Sequence, residues 1–226
     1  MSAEYNLIRS NRKTVAIRVA KDMRVEVRAP LKIPKTAIDR FVISKQDWIR
    51  KQLSVCAARA ESRASFELRY GGRVLLRGSE YPIVARDGKR AGFDGACFYL
   101  PPALSSREIK RALVQVYRAT AKDVLIGRVA EWAKKMGSAP SSVKISGAKT
   151  RWGSCSGGNG LNFSWRLIMA DSEAIDYVVV HELAHIREHN HSNRFWAIVA
   201  SVLPDHKERS ARLTGLRNRL AGEDWG

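Results

Sequence analysis

The sequence predicts an α+β fold, with strands gathered early and helices late. Two patterns lead to it. In the first hundred residues, short stretches of alternating apolar and polar side chains recur between Gly and Pro turns. Beyond residue 105 the apolar positions repeat at helical spacing over long runs. No regular strand–helix–strand alternation runs along the chain, which sets it apart from a parallel α/β sheet.

In chain order, TVAIRV (14–19) and RVEVR (24–28) read as a hairpin with Lys21-Asp22-Met23 as its turn, ended by Pro30 and Pro34. Ile38, Phe41, Val42, Lys45, Trp48, Ile49 and Leu53 recur at helical spacing and predict one amphipathic helix over 35–60. Short strands are expected at 66–70, 73–76, 81–85 and 96–99, punctuated by Gly71-Gly72, Asp87-Gly88 and Pro101-Pro102. Ser105 or Ser106 can cap a helix that runs to about Met136, where Gly137 stops it. Strands at 142–148 and 160–166 flank the segment RWGSCSGGNG. Asp171 or Ser172 begins a helix carrying AIDYVVVHELAHI, Ser192 caps NRFWAIVASVL, and a last helix follows Pro204-Asp205. The expected organisation is a β-rich portion with one helix over 1–102 and a helical portion over 103–226, packed as one unit.

With 226 residues, 45% of them hydrophobic, the chain can bury a sizeable core. No apolar run approaches the roughly 18–20 residues that span a bilayer, and the opening MSAEYNLIRSNRK lacks the apolar centre of a secretory signal. The expectation is a cytoplasmic protein without membrane contact. Cys56, Cys97 and Cys155 stand far apart and form no CxxC pair, so they suggest neither a disulfide framework nor a cysteine metal site. Lys and Arg number 40 against 22 Asp and Glu, a net charge of +18. That balance favours encounters with polyanions, although the cations are spread along the whole chain without a dense block.

Residues 181–185 read HELAH. On a helix, His181 and His185 lie one turn apart on the same face, so both imidazoles reach one ion. Two neutral imidazoles are preferred zinc ligands and leave room for a third protein ligand and a water. Glu182 is placed to accept a proton from that water and pass it to a leaving group. HExxH alone is a short motif that also arises by chance. Here it continues the apolar run AIDYVVV, and two histidines with a carboxylate on a buried helix require an explanation such as a metal.

Two residues compete for the third ligand position. In a straight helix His189 would stand about 12 Å along the axis from His181, too far to share an ion. His191 can reach if the helix ends near 188–190 and the chain folds back. Asn190 is suited to the left-handed turn this needs, and Phe195 and Trp196 can anchor the return. His191 is therefore the expected ligand, and His189 an exposed helix-end group, a contact behind the ligands or a candidate substrate contact. His206, beside Asp205 at a helix start, is expected to be structural, and Tyr177, one turn before His181, to pack in the core.

HELAHIREHNHSNRFW, together with RWGSCS (151–156) and IDYVVV (175–180), closely resembles the YgjP-like metallopeptidase domain, grouped with the SprT-like and M48-type zincins. RSNRKTVAIRV, VEVRAP and FVISKQDWI resemble the opening of the same family, so the resemblance covers most of the chain. It implies an α+β zincin-like fold, zinc (Zn2+) on His181, His185 and His191, and Glu182 as the base. The histidine spacing also equals that of the metzincins. Glu188 stands where they carry glycine, and no Met-turn follows, so the chain is not assigned to them. Within RWGSCS, Arg151 is a candidate for stabilising an oxyanion or holding a substrate carboxylate or phosphate. Trp152 and Gly153 either shape a strand edge to which a substrate adds, or fill the core and make a turn.

Three functions follow as alternatives. The first is a zinc peptidase acting on a protein or peptide. The second is a metal-dependent hydrolase of a nucleotide phosphoanhydride, suggested by the basic composition; the chain has no Walker glycine loop and no clustered carboxylates for several magnesium ions. The third is a nucleic-acid-binding protein with a secondary zinc site, and SprT-like relatives, which act on proteins attached to DNA, connect it to the first. Nickel, cobalt and manganese are alternatives to zinc on three histidines.

Overall fold

In a computed structural model, which describes residues 4–226, the chain divides into two units: residues up to 66 with 221–224, and 67–220 with 225–226. The first unit holds β1 (Asn6–Ser10), β2 (Ala16–Val19) and β3 (Val25–Pro30) in the order β1-β3-β2. β2 and β3 form the predicted antiparallel hairpin, with Met23 at a φ of 63° in its turn. β1, absent from the sequence reading, pairs in parallel with β3. The helix expected over 35–60 is two helices, α1 (Lys35–Ser44) and α2 (Gln46–Ala64). The chain leaves helical geometry at Lys45 (φ −109°, ψ 13°). Ile38 and Val42 of α1 and Ile49 of α2 all bury into one cluster with Val25, Val27 and Ala29 of β3. The bend lets two helical faces reach the same short sheet, a demand that apolar spacing along the sequence does not express. Ser62 Oγ and Arg63 Nε donate to the carbonyls of Gly222 and Ala221, joining 221–224 to this unit.

The second unit begins with β4 (Arg73–Leu76), β5 (Ser79–Ala85), β6 (Gly92–Phe93) and β7 (Phe98–Leu100), ordered β4-β5-β7-β6. The strand expected at 66–70 does not form: Leu68 is buried, but its N–H is taken by the Ser106 hydroxyl rather than by a neighbouring strand. α3 (Ser106–Met136) follows the sequence reading closely. Ser105 and Glu108 cap it reciprocally, and Gly137 ends it at a φ of 60°, where a Cβ would be strained. Ile109, Leu113, Val116, Tyr117, Ala121, Leu125 and Val129 form its buried stripe.

β8 (Ser142–Ser146), β9 (Gly153–Cys155) and β10 (Gly160–Ser164) make a sheet ordered β8-β10-β9. The two flanking strands were expected; the segment between them supplies a third, antiparallel to β10 and at the sheet edge. A 3₁₀ turn (Trp165–Met169) leads to α4 (Ser172–Ala184), N-capped by Asp171. α5 (Asn193–Val202), capped by Ser192, and α6 (His206–Ala221) complete the α+β architecture. Among the described residues no helix is long and apolar enough to cross a membrane.

α4 is tied to α3 by a two-pronged ion pair. Arg128 Nε donates to Asp176 Oδ1 at 2.6 Å while a second guanidinium nitrogen donates to Oδ2. The Asp176 side chain is only 9% exposed, against 31% for Arg128, so removing the arginine leaves a buried charge without its counter-ion. Arg128→Ala is expected to lower stability by about 2–3 kcal/mol in chemical denaturation, more than the roughly 0–1 kcal/mol of a surface pair such as Arg50–Asp47.

Candidate metal centre

α4 is apolar on almost every side, with Ile175, Val178, Val179, Val180, Leu183 and Ala184 all buried. Its C-terminal end therefore delivers His181, Glu182 and His185 into the body of the unit. The helix does not continue to 188. His185 is its C-cap, and the N–H groups of Ile186 and Arg187 bond three residues back, to the carbonyls of Leu183 and Ala184. This tight last turn starts the reversal. The left-handed residue expected at Asn190 is not there, because Asn190 is outside the positive-φ residues. Its side chain turns the chain instead: Asn190 Oδ1 accepts the Ser192 N–H at 3.0 Å, and Ser192 Oγ accepts the Phe195 N–H at the start of α5.

The reversal brings His191 back to α4. His191 Nε2 lies 3.0 Å from His181 Nε2, and the three imidazoles of His181, His185 and His191 each offer a ring nitrogen within 4.8 Å of the others. Phe195, fully buried, sits among all three rings, with centroids 4.5 Å from His185, 4.8 Å from His191 and 4.9 Å from His181. Trp196 packs against His191 on one side and stacks on the buried His206 on the other. Tyr177 is buried one turn before His181, its ring 5.8 Å away. His189 is exposed and outside the cluster, because the helix ends before reaching it.

This arrangement fits a metal ion. A carbonyl can only accept, so the contact at 3.1 Å between His185 Nδ1 and the Glu188 carbonyl puts the proton on Nδ1 and leaves Nε2 with a free lone pair. His181 is pushed down to about 4, by burial first and then by His185 and His191, so its ring is neutral at pH 7. Two ring nitrogens 3.0 Å apart either share a proton or face a common cation. Ligands about 2.0–2.1 Å from a tetrahedral ion stand roughly 3.3 Å from one another, near the 3.0 Å of His181 and His191, while all three donors lie within 4.8 Å.

Glu182 is 6% exposed, and burial pushes its carboxyl up to about 7, with the nearby charge of Arg151 opposing. The β9 strand runs beside it. A Cβ built on Gly153 would meet Glu182 Cγ and Oε1 at 2.6 Å. Cys155, at the other end of β9, is raised by burial and then by the Glu182 charge. The structure thus brings RWGSCS to the carboxylate. Arg151 is exposed, whereas Trp152 is half-buried with its indole N–H unpartnered among the described residues. The role of Gly153 was not visible in the sequence beyond a turn or a strand edge; a glycine flanked by a predicted strand and an HExxH helix is the only signal.

Metal content separates the competing histidines. Elemental mass spectrometry is expected to find the ion lost from His181→Ala, His185→Ala and His191→Ala and kept by His189→Ala.

The family profile described as YgjP-like, metallopeptidase domain, matches residues 13–215. No curated protein matches the chain. Among solved structures, the chain is similar to the crystal structure of the metallopeptidase zymogen of Pyrococcus abyssi abylysin at 23% identity, over 40% of this chain and 92% of that one. The TM-score of that match is 0.38. The family match spans nearly the whole sequence, and on it the chain belongs to the YgjP-like metallopeptidase domain family.

Proposed function

We propose that this metallopeptidase uses zinc held by His181, His185 and His191, with Glu182 as general base, to hydrolyse peptide bonds. The observation that carries the reading is the convergence of three imidazole nitrogens within 4.8 Å at the end of a helix whose next side chain is a buried carboxylate. The donor chemistry favours zinc: all three donors are borderline-soft nitrogens, and the His185 ring is oriented by a backbone carbonyl behind it. When bound, the ion polarises the substrate carbonyl and makes a nearby water more acidic.

The rest of the reaction belongs to the chain. Glu182 takes a proton from the attacking water as its oxygen bonds to the carbonyl carbon. It then hands that proton to the amine nitrogen as the C–N bond breaks. Trp152 and the edge strand β9 lie on the side of Glu182 where a substrate peptide can add as a further strand, its backbone pairing with the free edge. Arg151, which begins this segment, offers a cation to the oxyanion or to a carboxylate of the substrate.

Glu182→Gln keeps the shape of the side chain and removes the base. It is expected to retain zinc and to cleave fluorescein-labelled casein about 10²–10⁴-fold more slowly than the wild type. Cleavage at the wild-type rate by Glu182→Gln would overturn the assignment of the base.

A further inference from the structure

We propose that Gly153 is a positioning residue for Glu182. The space left by its missing side chain is where the Glu182 carboxylate packs, so the edge of β9 fixes where that carboxylate stands beside the three imidazoles. The role of Glu182 as base rests on the proposed function; the packing does not.

A Cβ at 153 would lie 2.6 Å from both Glu182 Cγ and Oε1 and 2.9 Å from Cδ. A Cβ makes no hydrogen bond and does not approach a carbon or a carboxylate oxygen that closely. The glycine is not demanded by the backbone, because Gly153 lies outside the left-handed region and sits in an ordinary antiparallel register opposite Phe163. What excludes a larger residue is Glu182. The clash reaches Cγ as well as the carboxylate tip, so relief requires the whole side chain to change its χ1 rotamer.

Neither side has room to retreat. β9 is pinned to β10 at Cys155–Leu161, Ser154–Asn162 and Gly153–Phe163, and the Ser164 N–H bonds the Trp152 carbonyl at 2.8 Å. Phe163 behind it is fully buried. Across the contact, Val178, Val179, Leu183 and Ala184 hold α4 in the core. Glu182 therefore has one well-defined place, set by the strand to which the substrate backbone is proposed to add. Base and substrate take their positions from the same strand edge, as near-attack geometry requires.

The contact is tested by a double-mutant cycle in thermal unfolding. Gly153→Ala is expected to lower Tm by about 5 °C in the wild-type protein. In a Glu182→Ala background, which removes Cγ, Cδ and both oxygens, the same substitution is expected to leave Tm unchanged. Equal losses in both backgrounds would overturn the proposal. The positioning role is read from kinetics on fluorescein-labelled casein together with zinc affinity, measured by competition with a chromophoric chelator. Gly153→Ala is expected to keep zinc affinity and KM while kcat falls about 100-fold. In the Glu182→Ala background, where no base is left to displace, Gly153→Ala is expected to leave the residual kcat unchanged. A matching loss of zinc, or an equal fall in kcat in that background, would overturn the role. If the wild-type protein cleaves no casein, the peptidase reading falls, while the unfolding cycle still decides whether Gly153 sets the place of Glu182.

Discussion

The burial of α4 is the constraint on which the rest of the site depends. Ten of its thirteen residues are buried, and the apolar ones hold the helix from several sides at once. A helix so enclosed cannot rotate to bring its polar groups to solvent. His181, Glu182 and His185 are therefore fixed in direction before any ligand is considered. Burial also sets their chemistry: it disfavours the charged form of each group, lowering the histidines and raising the carboxyl.

Carrying polar groups into the interior has a free-energy cost, and the structure answers it group by group. Asp176 is met by the two-pronged Arg128, which also joins α4 to α3. His185 donates its Nδ1–H to the Glu188 carbonyl in the turn that follows it. The buried Arg166 donates to the Gly147 carbonyl and lies over the Trp165 ring, its guanidinium 4.4 Å from the centroid. At the histidine cluster the account stays open at one atom: the buried Nδ1 of His181 has no hydrogen-bond partner among the described residues. Its Nε2 lies 3.0 Å from that of His191, a spacing met either by one shared proton or by a common cation.

Aromatic packing supplies the precision that hydrogen bonds do not. Phe195 touches all three imidazoles from α5, and Trp196 carries His191 on one face and His206 on the other. Rings this large lose little freedom on ordering and resist small displacements, so they hold the imidazoles in place. The motif NHSxxFW thus has a physical content. Its serine caps α5, its phenylalanine fills the space among the rings, and its tryptophan backs the histidine that returns.

Much of the local structure was legible along the chain, because it depends on neighbours in sequence. The hairpin of β2 and β3, the serine cap and glycine stop of α3, the caps of α4 and α5, and the shared face of His181 and His185 all follow from spacing and cap chemistry. That His191 rather than His189 joins them followed from the rise of a helix. Tertiary structure decided the remainder. The break at Lys45 arises because two helical faces must reach one small sheet, and β1 forms only because β3 offers it an edge. Residues 66–70 carry a strand-like pattern, but Leu68 spends its N–H on Ser106. Asn190 turns the chain with its side chain rather than its backbone, a choice made by the position of Ser192. Above all, the approach of Gly153 to Glu182 joins residues 29 positions apart on two different elements, and no periodicity encodes it. Sequence specifies which groups can do the chemistry, because ligand, base and cap are properties of residue type and local spacing. Only packing decides how near they stand, because distance between elements is set by the volume of every side chain between them.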